Sequence, residues 1–291
     1  MKVAIVSMFG HYECLFFLGE VLQEHDVTIY IGNDTRGEEL YLCKLYSNIK
    51  IVKLKQKLTN EIVSLYDVII KLTSRDDVLN HPSVISILHI SSFKDTSNRY
   101  ISLTPFVEGK NVSYMIPVYT PHYVRKCYNK SITFVGYFLN SWVDEDLQYF
   151  IENSHHTFHF IVWGDGNYDR LTKYSNVNVH YNSSTDHLNE IINNSSYMLL
   201  RNASYINYDR FTGMIALALS FKKPMIVDTK TKDAYEIPGI VYEKRYSELI
   251  DTLNSNLTPI VYEKMVDSIG EFNENAINQN KRVMSEILCH N

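Results

Sequence analysis

The chain has 291 residues, of which 45% are hydrophobic and 21% are charged, and its formal net charge at pH 7 is -5. This length favours two domains of ordinary size, and the composition is typical of a globular protein rather than a disordered one. A negative net charge disfavours nucleic-acid binding, because phosphate contacts need clustered Lys and Arg side chains. We therefore expect no nucleic-acid partner.

Cysteine spacing and hydropathy indicate the compartment. The four cysteines lie far apart and form no CxxC pair, which favours free thiols in a reducing compartment over a disulfide framework or a zinc site. The apolar run at residues 3–8 is too short for a signal peptide and lacks a cleavage region. No apolar run approaches the roughly 18 residues that a membrane-spanning helix needs. We expect a cytoplasmic protein without a transmembrane segment.

The first part of the chain alternates between strand and helix patterns. Residues 3–8 are continuously apolar, as expected for a parallel strand that is buried on both faces. A turn with Gly10 follows, then a helical apolar pattern, then a strand at residues 27–31. A polar stretch at residues 122–130 indicates a linker. Further strands are predicted before it at residues 49–54, 66–72, 84–90, 100–103 and 112–118.

A second alternation of strands and helices follows the linker. Two separate helices are predicted near the end of the chain, at residues 260–269 and around residues 277–288. The order of elements predicts an α/β protein with two doubly wound, Rossmann-like domains that face a cleft. The strands of the second alternation are predicted at residues 132–136, 158–163, 177–180, 197–200, 225–227 and 240–242.

The segment at residues 209–228 is the most informative part of the chain. It predicts a loop, a short helix that is apolar on nearly every face, and a strand. A helix that is hydrophobic all round must be buried. The N–H groups and the dipole at its start, at Thr212, Gly213, Met214 and Ile215, favour a phosphate group. We predict that the phosphate of a nucleotide or of a sugar binds there.

The order of these motifs resembles that of GT-B glycosyltransferases, most nearly the retaining nucleotide-sugar enzymes of family 4. The resemblance covers most of residues 3–243 and includes the opening strand, turn and helix. The further matching motifs are EHDVT at residues 24–28, SILH at 86–89, YMIPV at 114–118, ITFVG at 132–136, FIVWGDG at 160–166 and the segment at 209–227.

The resemblance implies a fold and an activity. Residues 1–125 would form a Rossmann-like acceptor-side domain, residues 126–275 a nucleotide-sugar-binding domain, and residues 276–291 a helix that packs back on the first domain. The enzyme would move a sugar from a nucleotide sugar to a hydroxyl of a carbohydrate or small-molecule acceptor, with retention of configuration. The resemblance implies no cofactor and no metal, since a retaining enzyme of this fold has no obligatory metal.

The chain departs from the family pattern where the family binds its donor. Tyr137 replaces the Arg that usually follows FVG, and no clear Lys stands a few residues later. The family's two-glutamate motif becomes Asp209 and Leu217, and a leucine cannot accept the hydrogen bond of the nucleotide ribose. Two alternatives therefore stay open beside the transferase. They are a non-catalytic GT-B-like binding subunit and a sugar-nucleotide epimerase of the same fold.

Two residues are candidates for the chemistry. His89 ends a predicted buried strand, and the resemblance implies that it lies on the acceptor side near the reacting sugar. A hydrogen-bonded core histidine is the alternative. Asp209 can accept hydrogen bonds from a sugar hydroxyl, as the resemblance implies, or cap the helix that follows.

The remaining candidates are expected to bind the donor. Arg201, at the carboxyl end of a predicted strand, and Arg210 can supply the positive charge that Tyr137 lacks, with surface salt bridges as the alternative. Gly10 and Gly164 can let the backbone approach a phosphate, with tight turns as the alternative.

Two further features complete the predicted site. Gly136 stands, like Tyr137, in the motif that opens the donor-binding domain. The carboxylates at residues 144–146 imitate a metal-binding motif, but they stand where a helix cap is expected. We predict no metal site.

Overall fold

The computed structural model of the chain describes residues 1–7, 13–32, 35–54, 60–73, 83–88, 99–105, 107, 109, 111–136, 143–163, 168–200 and 212–289. The chain forms two compact units, each built on one parallel sheet. The first unit contains Met1–His122, Asp209–Ala216 and Glu274–Asn291, and the second contains Tyr123–Tyr208 and Leu217–Asn273. The α/β class predicted from the sequence is confirmed.

The first sheet has seven strands. They are β1 (Lys2–Ser7), β2 (Asp26–Ile31), β3 (Ile49–Lys53), β4 (Val68–Thr73), β5 (Val84–Leu88), β6 (Arg99–Ser102) and β7 (Val112–Tyr114). Their order in space is β3-β2-β1-β4-β5-β6-β7, with every neighbouring pair parallel. Helices α1 (Glu13–Val21), α2 (Glu38–Leu45) and α3 (Asn60–Val63) connect strands of this sheet. The strand order reverses between β1 and β4, which is the topological switch point.

The second sheet has six strands. They are β8 (Ser131–Gly136), β9 (Thr157–Val162), β10 (Val177–Tyr181), β11 (Tyr197–Leu199), β12 (Met225–Asp228) and β13 (Gly239–Tyr242). Their order is β10-β9-β8-β11-β12-β13, and all pairs are parallel. The α-helices that follow β8 along the chain are α4 (Glu145–Asn153), α5 (Asp169–Thr172), α6 (Thr185–Asn193), α7 (Gly213–Ser220), α8 (Thr229–Tyr235) and α9 (Pro259–Cys289).

Apolar strands form the core of each unit, as their sequences predict. In β1 every residue after Lys2 is buried, which is expected of a central strand that is covered on both faces. The predicted helix at residues 213–220 is also confirmed as buried, since every residue from Met214 to Ser220 is at most 6% exposed. None of the helices among the described residues is both long and apolar enough to cross a membrane.

Two predictions about elements are wrong, and one helix was not predicted. The strand predicted at residues 112–118 ends at Tyr114, and Pro117, which lacks an N–H, follows closely. Helix α8 was not predicted, although Asp228 caps it by accepting bonds from the Thr231 N–H at 2.9 Å and from its hydroxyl at 2.7 Å. The two helices predicted at the end of the pattern are one helix of 31 residues, α9.

Helix α9 continues through Gly270, although glycine is unfavourable inside a helix. A β-carbon at Gly270 would lie 3.3 Å from Nζ of Lys222, so the glycine permits a close approach between the helix and that side chain. Further along, the Asn280 side chain donates to the carbonyl of Ile116 at 2.6 Å, and Arg99 donates to the carbonyl of Ile287 at 3.2 Å. The later part of α9 is therefore anchored within the first unit.

Candidate functional site

The second sheet places Gly136 at its switch point. The strand order reverses between β8 and β11, and open α/β sheets bind ligands outside the carboxyl ends of strands at such a point. Gly136 is the last residue of β8 and has a φ of 140°, a conformation that strains any residue with a side chain. The backbone therefore requires a glycine at this edge.

The start of α7 is organised around Thr212. The Thr212 hydroxyl accepts a long hydrogen bond of 3.4 Å from the Met214 N–H, and the Thr212 carbonyl accepts one of 3.0 Å from the Ile215 N–H. Thr212 therefore acts as the N-cap of the helix. The four residues that the sequence assigned to phosphate binding form one helix start, within the first unit.

Glu13 lies against this helix start. A β-carbon built on Gly213 would lie 2.5 Å from Cδ and 2.8 Å from Cγ of Glu13, with Oε1 the nearest atom of all. Glu13 is the first residue of α1, the helix that follows the central strand β1. The sequence reasoning missed this residue, because no local pattern connects α1 with a helix so distant in the chain.

Leu217 is the residue that the sequence resemblance aligns with the second glutamate of family 4. It is 6% exposed and lies within the apolar helix α7. Its side chain offers no acceptor for a ribose hydroxyl.

The carboxylates of Asp144 and Asp146 serve the fold. Asp144 accepts a hydrogen bond of 2.8 Å from the Leu147 N–H and caps α4, so the predicted helix cap is confirmed. Asp146 accepts bonds from the Tyr246 N–H at 2.7 Å and the Ser247 hydroxyl at 2.9 Å, at the start of a 3₁₀ helix. Within the described ranges, no group of three or more His, Cys, Asp or Glu side chains is arranged to hold a metal ion.

Two histidines of the second unit, the buried His156 and the half-buried His159, are also structural. Nδ1 of His156 lies 2.9 Å from the Ser154 hydroxyl, and Nδ1 of His159 lies 3.1 Å from Nε2 of His180. Burial lowers the pKa of His156 and that of His159 to about 4 each. Both rings are therefore neutral at neutral pH, and the contact between His159 and His180 joins β9 to β10.

Seven of the predicted site residues lie outside the described part of the chain. Their roles in acceptor positioning and donor binding stay predictions. They are Gly10, His89, Tyr137, Gly164, Arg201, Asp209 and Arg210.

The sequence matches no family model and no curated protein. Its structure is similar to that of AviGT4, a glycosyltransferase involved in avilamycin A biosynthesis, with a TM-score of 0.68 and 12% sequence identity over 100% of this chain and 99% of that chain. It is also similar to T4 phage BGT in complex with UDP and Mn²⁺, with a TM-score of 0.62 and 11% identity over 99% of each chain.

A third similar structure is UDP-GlcNAc 2-epimerase from Neisseria meningitidis bound to UDP-GlcNAc. Its TM-score is 0.53, at 12% identity over 100% of both chains. All three similarities extend over nearly the whole chain at low identity, so they show the architecture. The chain has the two-sheet GT-B fold of glycosyltransferases, as the order of its motifs predicted.

Proposed function

We propose that this protein is a glycosyltransferase that moves a sugar from a nucleotide-sugar donor to a hydroxyl of a carbohydrate or small-molecule acceptor. The observation that carries the proposal is the full-length similarity to AviGT4, with both sheets doubly wound. T4 phage BGT, which has the same fold, binds UDP.

In the proposed donor site, the diphosphate binds at the start of α7. The N–H groups and the dipole of a helix N-terminus favour a negative charge there. Gly136, at the carboxyl edge of β8, lets the nucleotide approach the backbone. Arg201 and Arg210 supply positive charge, Asp209 accepts bonds from the sugar, and His89 acts on the acceptor side.

We propose that transfer proceeds with retention and without a metal. The metal-free mechanism is supported by Asp144 and Asp146, whose carboxylates are engaged in capping two helices. Because T4 phage BGT binds Mn²⁺ together with UDP, metal dependence has to be tested directly. The anomeric configuration of the product, measured by NMR, tests retention.

Two observations support other functions. The similarity to UDP-GlcNAc 2-epimerase favours an epimerase, which would convert a nucleotide sugar without any acceptor. The buried Leu217, in the place of a ribose-binding glutamate, favours a non-catalytic binding subunit. An epimerase yields a new nucleotide sugar, a transferase releases the nucleotide, and a binding subunit does neither.

A thermal-shift screen tests the donor site. The protein is heated with a panel of nucleotide sugars, in EDTA and in Mn²⁺, because a ligand of the native state raises the melting temperature by mass action. We expect one nucleotide sugar and its nucleotide to stabilise the protein in EDTA. Stabilisation only in Mn²⁺ would overturn the metal-free mechanism, and stabilisation by no ligand would overturn the donor site.

The Thr212→Asp variant localises that site, and Ser184→Asp is its matched control. Aspartate is as good an N-cap as serine or threonine, so both variants keep their helices. At residue 212 the new carboxylate repels a phosphate, whereas at Ser184 it caps α6. We expect Thr212→Asp to lower donor affinity at least about tenfold and Ser184→Asp to leave it unchanged. Equal donor affinity of the two variants would show that the phosphate does not bind at the start of α7.

A further inference from the structure

Three histidine rings lie in a row at one edge of the second sheet. They are His159 of β9, His180 of the edge strand β10 and His187 of α6. Nδ1 of His159 lies 3.1 Å from Nε2 of His180, and the two rings stack with their centroids 5.4 Å apart. The His187 ring packs edge-on against His180, with centroids 5.6 Å apart. The row therefore joins β9, β10 and the first turn of α6.

The row lies on the face of the sheet that α6 covers. Phe158, the neighbour of His159 in β9, points to the opposite face, where its ring lies 5.5 Å from that of Phe150 in α4. The Tyr174 hydroxyl, just after α5, donates to the Gln148 side chain of α4 at 3.3 Å, so α5 lies on that opposite face as well. The sheet therefore separates the row from the charged groups of α4 and α5.

The charged groups on the side of the row come from α6. This helix carries the carboxylates of Asp186 and Glu190, and Oε2 of Glu190 lies 3.8 Å from Nδ1 of His187, where both side chains are open to water. On the other side of His159, its partner in β8 is the uncharged Thr133. Burial first and a neighbouring histidine second lower the pKa of His159 and that of His180. The two inner rings of the row are therefore poorly placed to hold a positive charge.

The contact between His159 and His180 depends on the protonation of both rings. A neutral imidazole donates from one nitrogen and accepts at the other, whereas an imidazolium donates from both. The bond between the rings survives one added proton, but two added protons leave two N–H groups and two like charges facing each other. We propose that this row of histidines is a latch that is closed at neutral pH and that releases β10 and the first turn of α6 in mild acid. The latch does not depend on the proposed function.

The other end of α6 confines the release. The Asn193 side chain donates to the carbonyl of Tyr123 at 3.3 Å and accepts a bond of 2.9 Å from the Arg125 N–H. The Asn193 carbonyl accepts a bond of 3.0 Å from the ammonium of Lys223. None of these bonds involves a histidine, and acid keeps the lysine charged. We therefore expect a local opening at the edge of the sheet rather than unfolding of the second unit.

The lowered pKa sets the pH range of the opening. The pKa of His159 is about 4 in the closed state, and the ring regains its ordinary value of 6.5 once it reaches water. The open state therefore binds the proton more tightly, so opening becomes more favourable as the pH falls from 6.5 toward 4. Between pH 7 and pH 5 these two pKa values imply a rise of about twentyfold in the open population from His159 alone.

Amide hydrogen exchange of the full chain at pH 7 and pH 5 tests the latch, with rates corrected for the intrinsic effect of pH. We expect the protection of β10 and of the first turn of α6 to fall at least about tenfold between the two pH values. The Arg125 amide and strands β11 and β12 should keep their protection. Unchanged protection of β10, or an equal loss throughout the second unit, would overturn the proposal.

A double variant, His159→Asn with His180→Gln, removes both inner rings. The Asn amide reaches the position of Nδ1 and the Gln amide that of Nε2, so the two side chains can still share a hydrogen bond. The matched control replaces two exposed histidines, His122→Gln with His155→Gln. We expect β10 to lose less than about twofold protection in the double variant, and as much in the control as in wild type. A loss in the double variant equal to that of wild type would overturn the proposal.

NMR titration of the imidazoles in wild type provides a second test, which holds even if the double variant does not fold. We expect His159 to titrate at least about one pH unit below an unperturbed histidine, together with the loss of protection in β10. Titration of His159 at its ordinary pKa, with the protection of β10 intact, would show that the row does not act as a latch.

Discussion

The two ends of helix α7 differ in how their backbone groups are satisfied. The first end belongs to the first unit and combines a weak N-cap with the carboxylate of Glu13. The last end belongs to the second unit, and several internal hydrogen bonds close it. The first end carries the proposed phosphate site, whereas the last end is closed by hydrogen bonds within the protein.

The last end of α7 closes in a Schellman motif. The Lys223 N–H donates to the carbonyl of Ala218 at 2.8 Å, and the Lys222 N–H donates to that of Leu219 at 2.9 Å. Lys222 has a φ of 52°, the left-handed conformation that this motif requires. The Asn273 side chain donates a further bond of 2.6 Å to the carbonyl of Leu219.

The Lys223 side chain extends this closed end into the surrounding structure. It is 0% exposed, and its ammonium donates to the carbonyls of Arg125 at 2.8 Å and Asn193 at 3.0 Å. Burial lowers its pKa to about 8. Changes at this end of α7 should therefore alter stability, and changes at the first end should alter ligand affinity.

The largest expected effect is that of Lys223→Met. The carbonyls of Arg125 and Asn193 lose a charged donor in a buried place, so we expect the free energy of unfolding to fall by about 2–3 kcal/mol. Urea unfolding measures the loss, and Lys264→Met, at an exposed position of α9, is the control. Nucleotide affinity of the folded variant should not change. A loss as small as that of the control would show that the bonds of Lys223 to these two carbonyls do not stabilise the fold.

The pH dependence of stability should reveal the same lysine. Between pH 8 and the ordinary Lys pKa of 10.5, the unfolded chain holds a proton that folded Lys223 has released, so stability rises with pH across this range. We expect the stability difference between wild type and Lys223→Met to grow by about 2 kcal/mol from pH 7.5 to 9.5. A constant difference would show that burial leaves the pKa of Lys223 unchanged.

Asn273→Ala should have a smaller effect. It removes one buried hydrogen bond to the carbonyl of Leu219, so we expect a loss of about 1–1.5 kcal/mol in the free energy of unfolding. The matched control is Asn275→Ala, two residues further along α9 at an exposed position. If both variants lose the same amount, the bond to Leu219 contributes nothing measurable.

The smallest effect separates two substitutions of Lys222. Glycine adopts a positive φ without strain, whereas alanine in that conformation is unfavourable by about 1 kcal/mol. We expect Lys222→Gly to be more stable than Lys222→Ala by about that amount, since both variants lose the same charge. Equal melting temperatures of the two variants would show that residue 222 does not adopt the left-handed conformation.

The sequence predicted those features that depend on local patterns. The continuous apolar runs predicted parallel strands, and the apolar residues after Gly213 predicted a buried helix, because periodicity reports burial directly. The cap at Asp144 was likewise local. Helix α8 also has a local signal, the capping residue Asp228. Asp228 is at the same time the last residue of strand β12, so the helix was missed.

Other features have no local signal. Contact between Glu13 and Gly213 joins two distant parts of the chain, and the left-handed Lys222 stands where glycine is the usual residue. Helix α9 runs through Gly270, where tertiary packing outweighs the low helix propensity of glycine. Arg201 and Asp209 lie outside the described part of the chain, so their roles stay predictions.

The path of α9 sets an order for folding during synthesis. Residues 274–289 belong to the first unit, where Asn280 and Arg99 fix them, yet the ribosome makes them after the whole second unit. The second unit can therefore mature while the first still lacks a helix. A fragment that stops at His122 leaves the Ile116 carbonyl without its Asn280 donor, so it should depend on chaperones or aggregate when it is expressed alone.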